Sequence, residues 1–213
     1  MYNLFLSFVL AFCLATRWAV AASTPSQIAD SLNDLAQQGY AAKALVVKMN
    51  TTADAGPISD FYNEIDGMVT AVLSDVKDVV NTPIISDSGE EQTVYNGYSS
   101  FVQSLLELMD ALSSSASQLK SIDSATKDRV PSEVRYLQSA VDAYFYNVIG
   151  LFPETSAYNT QASNQKSQVD THCFQAVSAF DLNYNNGNQG ASQGRNQGPF
   201  HSGRFRKHRS SPF

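Results

Sequence analysis

The stretch that decides the fold is VYNGYSSFVQSLLELMDALSSSASQL, residues 94–119. Its large apolar residues recur at alternating steps of three and four, the spacing that places them on one face of an α-helix. This stripe contains Val94, Tyr98, Phe101, Leu105, Leu108, Leu112, Ala116 and Leu119. An apolar stripe over about seven helical turns predicts a long helix that packs against partners along its whole length.

Three other segments have the same spacing. The first begins at Thr24-Pro25-Ser26-Gln27, which reads as a capping box with proline at the first helical position, and ends before the run at residues 50–57. The second covers residues 59–80, and another lies between Pro131 and Pro153. A weaker stretch, residues 158–180, is polar over 159–168 and predicts a helix only in its second half. The chain is therefore predicted to be all-α, an antiparallel bundle of four to five amphipathic helices over residues 22–182.

The chain opens with MYNLFLSFVLAFCLATRWAVAAS, residues 1–23. Its apolar run has about 12 residues, the length of a signal-peptide core and well short of the roughly 20 that span a bilayer. Ala19-Val20-Ala21 has the small-x-small pattern of a signal-peptidase site, so we expect residues 1–21 to be a signal peptide. A signal anchor is the alternative. No later segment is apolar enough to cross a membrane, and the predicted localisation is extracellular.

Residues 183–213 differ in composition from the rest of the chain. They are rich in Asn, Gln and Gly and end in RFRKHRSSPF, which predicts a disordered tail with a basic end. Residues 22–180 carry eight Lys and Arg against nineteen Asp and Glu. A basic tail could attract the acidic body, a wall polymer or a membrane surface, or could simply be solvated. The acidic body argues against nucleic acid as a partner.

Few residues in the chain are suited to catalysis or metal binding. Cys173 is the one cysteine left after the leader is removed, and we expect it to be buried, with pairing between chains as the alternative. His172 beside it points about 100° away on a helix, so the two do not form a catalytic couple. The carboxylate pairs Glu90–Glu91 and Glu107–Asp110 are expected to be solvated. The sequence therefore predicts that the protein is not an enzyme and has no metal site and no cofactor.

Asn50 is a candidate glycosylation site, because it begins the sequon Asn50-Thr51-Thr52 and lies where we expect a loop.

The helical segments hold more apolar residues than one core stripe needs, as in Tyr144-Phe145-Tyr146. A thick core is one interpretation, and a surface or cavity for an apolar ligand is the other. For an acyl chain we expect a binding set whose members face one another: Ile65, Val72, Leu105, Leu108, Val141 and Phe145. For adsorption to a solid we expect a different set, exposed by local opening: Tyr144, Tyr146, Ile149 and Phe152.

Four stretches together resemble a fungal family, the hydrophobic surface-binding protein A (HsbA) group, which includes cell-wall galactomannoproteins. They are IADSLNDLAQQGYAAKALVVKMN (28–50), D-G-x-x-x-x-V-L-x-D-V (66–76), YNGYSSFVQSLLELMDALSSSASQL (95–119) and EVRYLQSAVDAYFYNVIGLFP (133–153). The resemblance implies a non-catalytic secreted or wall-associated helical protein that binds hydrophobic surfaces or fatty acids. It also implies partnership with a secreted esterase or a cell-wall polymer. The alternative is a secreted protein-binding module, an inhibitor or host-directed effector, without lipid affinity.

Overall fold

The computed structural model describes residues 22–181, so the predicted signal peptide and tail lie outside the described residues. The described part contains five α-helices and no strand: α1, Pro25–Thr52; α2, Ile58–Val79; α3, Ser88–Ile122; α4, Thr126–Ile149; and α5, Ala157–Phe180. This confirms the predicted all-α bundle. None of these helices is long and apolar enough to cross a bilayer.

The helices form a closed ring in the order α1, α2, α4, α5, α3, because each packs against the next and α3 packs against α1. The most extensive contact joins α1 to α3, whereas α3 and α4 touch only slightly across the ring. The apolar stripes all face inward and form one continuous core. The predicted stripe of α3 is buried along its whole length, from Val94 to Leu119.

Helix boundaries follow local capping where the sequence provides it. Thr24 accepts a hydrogen bond from the backbone N–H of Gln27, and the Gln27 side chain accepts one from the Thr24 backbone, so the predicted capping box is present. Asp87 caps α3 by accepting from the N–H groups of Gly89 and Glu90. These bonds satisfy helix N–H groups that have no partner within the helix.

Three predicted boundaries were wrong. The first helix continues to Thr52, so Asn50 lies in its last turn and not in a loop. Helix α4 begins at Thr126 and not at Pro131, which lies inside the helix near its start. The proline costs one backbone hydrogen bond, and both Val130 and the Pro131 ring are buried.

The third correction concerns α5, which is helical over both halves. Its polar first half is held by neighbours that the local sequence does not reveal. The Tyr98 hydroxyl donates to the Ala162 carbonyl oxygen at 3.0 Å, and Gln165 donates to the Ser99 hydroxyl at 3.1 Å. Ser156 caps the helix by accepting from the N–H of Tyr158. The first half of α5 lacks an apolar stripe, and hydrogen bonds to other parts of the fold hold it in place instead.

Candidate functional site

The six residues predicted to bind an acyl chain are all buried in the single core of the ring. They are Ile65 and Val72 on α2, Leu105 and Leu108 on α3, and Val141 and Phe145 on α4. The Phe145 ring centre lies 4.7 Å from that of Tyr98 and 5.6 Å from that of Phe101. The structure thus places the six in one core, and their role in binding stays a prediction.

The four residues predicted for adsorption do not share one surface. Tyr146 is 77% exposed and Ile149 is half-buried, whereas Tyr144 and Phe152 are buried. The side chains of two residues that are two positions apart on a helix point about 200° away from each other. Tyr144 therefore faces the core while Tyr146 faces solvent. Phe152 packs against the ring of Tyr158 with centres 6.2 Å apart. Adsorption through all four would need the local opening on which the prediction depends.

An apolar cleft of about 600 Å³ lies where the ends of α2 and α4 meet α5. We call it the apolar cleft after the wall formed by Val79, Val80, Tyr146, Ile149 and Leu151. The rest of its lining is polar and comprises Thr82, Asn147, Ser163, Lys166 and Ser167. Val80 is 57% exposed, so this end of the bundle presents apolar surface to solvent. The sequence showed Val79-Val80 as an apolar doublet but gave no sign that it adjoins α4 and α5.

Lys166 lies at the rim of the apolar cleft. Its Nζ is 2.7 Å from Asp142 Oδ1 and 3.0 Å from Asp170 Oδ2. Burial acts to lower the pKa of Lys166, but the hydrogen bonds to the two carboxylates outweigh it and hold the pKa above its ordinary value. The ammonium is therefore already neutralised and offers little attraction to an anionic ligand.

A second, smaller cleft of about 290 Å³ lies between α1, α2 and α4. We call it the polar cleft, and Ser31, Asp75, Asp78 and Tyr144 contribute its polar groups. The Ser31 hydroxyl donates to Asp75 Oδ2. Burial is the main cause that raises the pKa of the Asp75 carboxyl above its ordinary value, and the Ser31 hydrogen bond only partly offsets it. This site was not predicted from the sequence, because Ser31 and Tyr144 are distant in the chain and carry no motif.

Tyr144 closes the inner side of the polar cleft, and its hydroxyl oxygen has no hydrogen-bond partner among residues 22–181. The Ser31 hydroxyl is close enough to lower the pKa of Tyr144, but the two oxygens do not form a hydrogen bond of ordinary geometry. Burial dominates, so the pKa of Tyr144 is raised and the phenol stays protonated. A buried hydroxyl without a partner is costly unless a ligand or water satisfies it.

The residues considered for catalysis have structural partners. His172 Nδ1 lies 2.8 Å from Asp110 Oδ1 at the surface, and Glu107 pairs with Lys43 at 2.7 Å. Cys173 is buried, as predicted, and burial raises the pKa of its thiol to about 12. Within residues 22–181 no cluster of three His, Cys, Asp or Glu side chains could hold a metal ion.

Two other predictions concern the surface. Asn50 is exposed, and its glycosylation stays a prediction. Glu90 is exposed as expected, but Glu91 is buried and accepts a hydrogen bond from the Ser156 hydroxyl at 2.5 Å, so the expectation that it is solvated was wrong. Glu91 thereby links the start of α3 to the cap of α5.

No protein-family model matches the chain, and no curated protein matches it in sequence. Solved structures do match. AfMp4p in complex with palmitic acid has 15% sequence identity and a TM-score of 0.66, over 74% of this chain and 99% of that one. Ligand-binding domain 2 of the Penicillium marneffei MP1 protein, complexed with multiple arachidonic acids, has 16% identity and a TM-score of 0.56, over 72% and 96%. Ligand-binding domain 1 of the same protein, also with arachidonic acids, has 14% identity and a TM-score of 0.54, over 71% and 99%. At these identities the likeness establishes the fold: the chain has the helical fold of these fatty-acid complexes.

Proposed function

We propose that the protein is a secreted, non-catalytic binder of fatty-acid-like lipids. The observation that carries the proposal is that its fold extends over nearly the whole length of chains solved with palmitic or arachidonic acid. Fold alone does not transfer function, so the site must support it. Here the support is a single apolar core enclosed by five helices and an apolar cleft open at one end.

Binding would be driven by burial of the acyl chain, at about 25 cal/mol per Å² of apolar surface removed from water. Two locations are available to the chain. The predicted core set, from Ile65 to Phe145, would admit it if the helices separate. Among neighbours in the ring, the least extensive contact joins α1 to α2. The apolar cleft along Val79, Ile149 and Leu151 would admit it without opening the core.

A non-catalytic role agrees with the surroundings of the reactive side chains. The Cys173 thiol is buried and stays protonated, and His172 is bound to Asp110 away from both clefts' linings. The proposal includes secretion, cell-wall association and recruitment of a secreted esterase because of the resemblance to the HsbA group. The predicted leader at residues 1–21 supports secretion.

Adsorption to hydrophobic solids is a second candidate function, favoured by one observation. Large exposed apolar side chains occur together at the open end of the apolar cleft, where Val80 and Tyr146 contribute to its walls. Exposed apolar groups around a cleft are a common mark of a binding surface.

Titration of delipidated protein with palmitate, followed by calorimetry, tests the lipid proposal. Saturable binding is expected, and two filling variants locate it: Val141→Phe in the core and Ile149→Trp in the apolar cleft. Loss of uptake in only one variant, with helix content unchanged by circular dichroism, assigns the location. Absence of binding to any acyl chain, together with stable capture of one soluble protein, would replace the proposal with the protein-binding alternative.

A further inference from the structure

The polar cleft has a chemical character that differs from its apolar neighbour. Ser31, Asp75 and Asp78 line it, and no Lys, Arg or His does. A third cleft of about 380 Å³ adjoins it, shares Ser31 and Asp75, and adds Asp30 and Asp34. In a partly desolvated site, the negative charge of these aspartates would repel the ionised carboxylate of a ligand.

The hydrogen-bonding groups of the polar cleft are complementary to a hydroxyl. The phenol O–H of Tyr144 is buried against the cleft and makes no hydrogen bond of ordinary geometry in the described chain, so a ligand that reaches it can accept its proton. Asp75 uses Oδ2 to accept from Ser31, and no described residue donates to its Oδ1. A ligand hydroxyl can accept from Tyr144 and donate to Asp75 at once, whereas a carboxylate has no proton for Asp75.

The space is also adequate. The volume of about 290 Å³ is roughly ten times the 30 Å³ that a water molecule takes in the liquid. Val79 lines both this cleft and the apolar cleft, so the two adjoin at this buried side chain. The chain of an amphiphile whose polar end lies beside Tyr144 would reach the apolar walls by passing Val79.

We propose that the polar cleft binds the neutral hydroxyl end of an amphiphilic ligand, such as a long-chain alcohol, with Tyr144 as donor and Asp75 as acceptor. This deepens, and rests on, the proposed lipid-binding function. Removal of the leader after Ala21 would create an α-ammonium at Ala22, which also lines the cleft. One ammonium beside the carboxylates of Asp75 and Asp78 still leaves no net positive charge for an anionic ligand.

The test compares ligands of one chain length and different head groups. The purified full chain is loaded with the neutral fluorophore N-phenyl-1-naphthylamine, which is then displaced by 1-dodecanol or by dodecanoate at neutral pH. Dodecanol is expected to bind at least about tenfold more tightly than dodecanoate. Equal or tighter binding of dodecanoate would overturn the proposal while leaving lipid binding intact.

A matched pair of variants then tests the donor. Tyr144→Phe removes no hydrogen bond within the described protein, so the fold should be retained, and the affinity for dodecanol should fall about fivefold to tenfold, the effect of one hydrogen bond. Tyr62→Phe removes the other buried tyrosine hydroxyl that lacks a partner in the described chain and should leave the affinity unchanged. An unchanged affinity in Tyr144→Phe, or an equal loss in both variants, would overturn the assignment. Failure of both ligands to displace the fluorophore would instead refute the lipid-binding proposal, and this assignment with it.

Discussion

Gly97 on α3 lies against the backbone of Ala29 on α1, so closely that a Cβ atom added to Gly97 would be 2.9 Å from the Ala29 carbonyl oxygen. The same Cβ would be 3.2 Å from the Ala29 Cα. Backbone atoms cannot move aside as a flexible side chain can. Gly97 therefore fixes the distance between the two helices that share the most extensive contact in the bundle.

Replacing Gly97 with alanine is expected to destabilise the protein by about 1–3 kcal/mol, because overpacking outweighs the better helix propensity of alanine. Gly67→Ala is the control, since a Cβ there meets nothing within 4 Å. That variant should be stabilised by up to about 1 kcal/mol. Urea unfolding measures both, and equal stability of the two variants would show that the close approach does not constrain the α1–α3 contact.

Tyr98→Phe is expected to cost about 1 kcal/mol of unfolding free energy, because it removes the hydrogen bond from the buried phenol to the Ala162 carbonyl oxygen. Tyr62→Phe should be neutral or slightly stabilising, since the Tyr62 hydroxyl is buried without a partner in the described chain. Thermal unfolding of the two variants measures the difference. A larger loss in Tyr62→Phe would mean that its hydroxyl has a partner in solution.

Asp75 should make stability fall as the pH rises through the acidic range. Burial raises its pKa in the folded protein, so the unfolded chain loses this proton at a lower pH than the native state does. Between those two values the native state holds more protons, and the free energy of unfolding therefore decreases with increasing pH. Asp75→Asn keeps an acceptor for Ser31 and should flatten this slope, with higher stability at neutral pH. Urea unfolding at a series of pH values checks this, and an unchanged slope would show that Asp75 titrates alike in both states.

Adsorption to polystyrene beads should weaken about tenfold in a Val80→Ser, Tyr146→Ser double variant. Both exposed side chains line the apolar cleft, and the loss of even part of their burial on the solid costs about 1.4 kcal/mol or more. Tyr136→Ser is the control, because Tyr136 is also exposed on α4 but lies about 15 Å from Tyr146 along the helix. Equal weakening by the control would indicate that adsorption is not specific to the cleft.

Cys173 should react slowly with a thiol reagent in the native protein and rapidly after unfolding. It is buried, and burial keeps its thiol protonated, while the thiolate is the reactive form. Labelling with and without guanidinium chloride, followed by mass spectrometry, gives the two rates. A covalent dimer on a non-reducing gel would contradict burial and support pairing between chains.

Much of the bundle could be predicted because helix formation depends on local patterns. The stripe from Val94 to Leu119 specifies which side of α3 is buried, and the Thr24–Gln27 capping box fixes where α1 begins. Burial of Cys173 was expected from its residue type, because free cysteine is among the most buried residues in proteins. Each of these signals lies within a few turns of the residue it describes.

The periodicity of a helix tells which face is buried but not which helices are its neighbours. Only the tertiary structure brought Tyr98 against the polar start of α5, and so made a helix where the local sequence gave little support. It also placed Ser31, Asp75 and Tyr144, from three different helices, around one cleft. In the packed bundle Tyr144 is buried in the core, whereas Tyr146 is exposed to solvent. The sequence alone determined four of the five helices and their buried faces, because those depend on neighbours along the chain. The clefts depend on contacts between residues far apart in the chain, and for that reason only the packed bundle decided them.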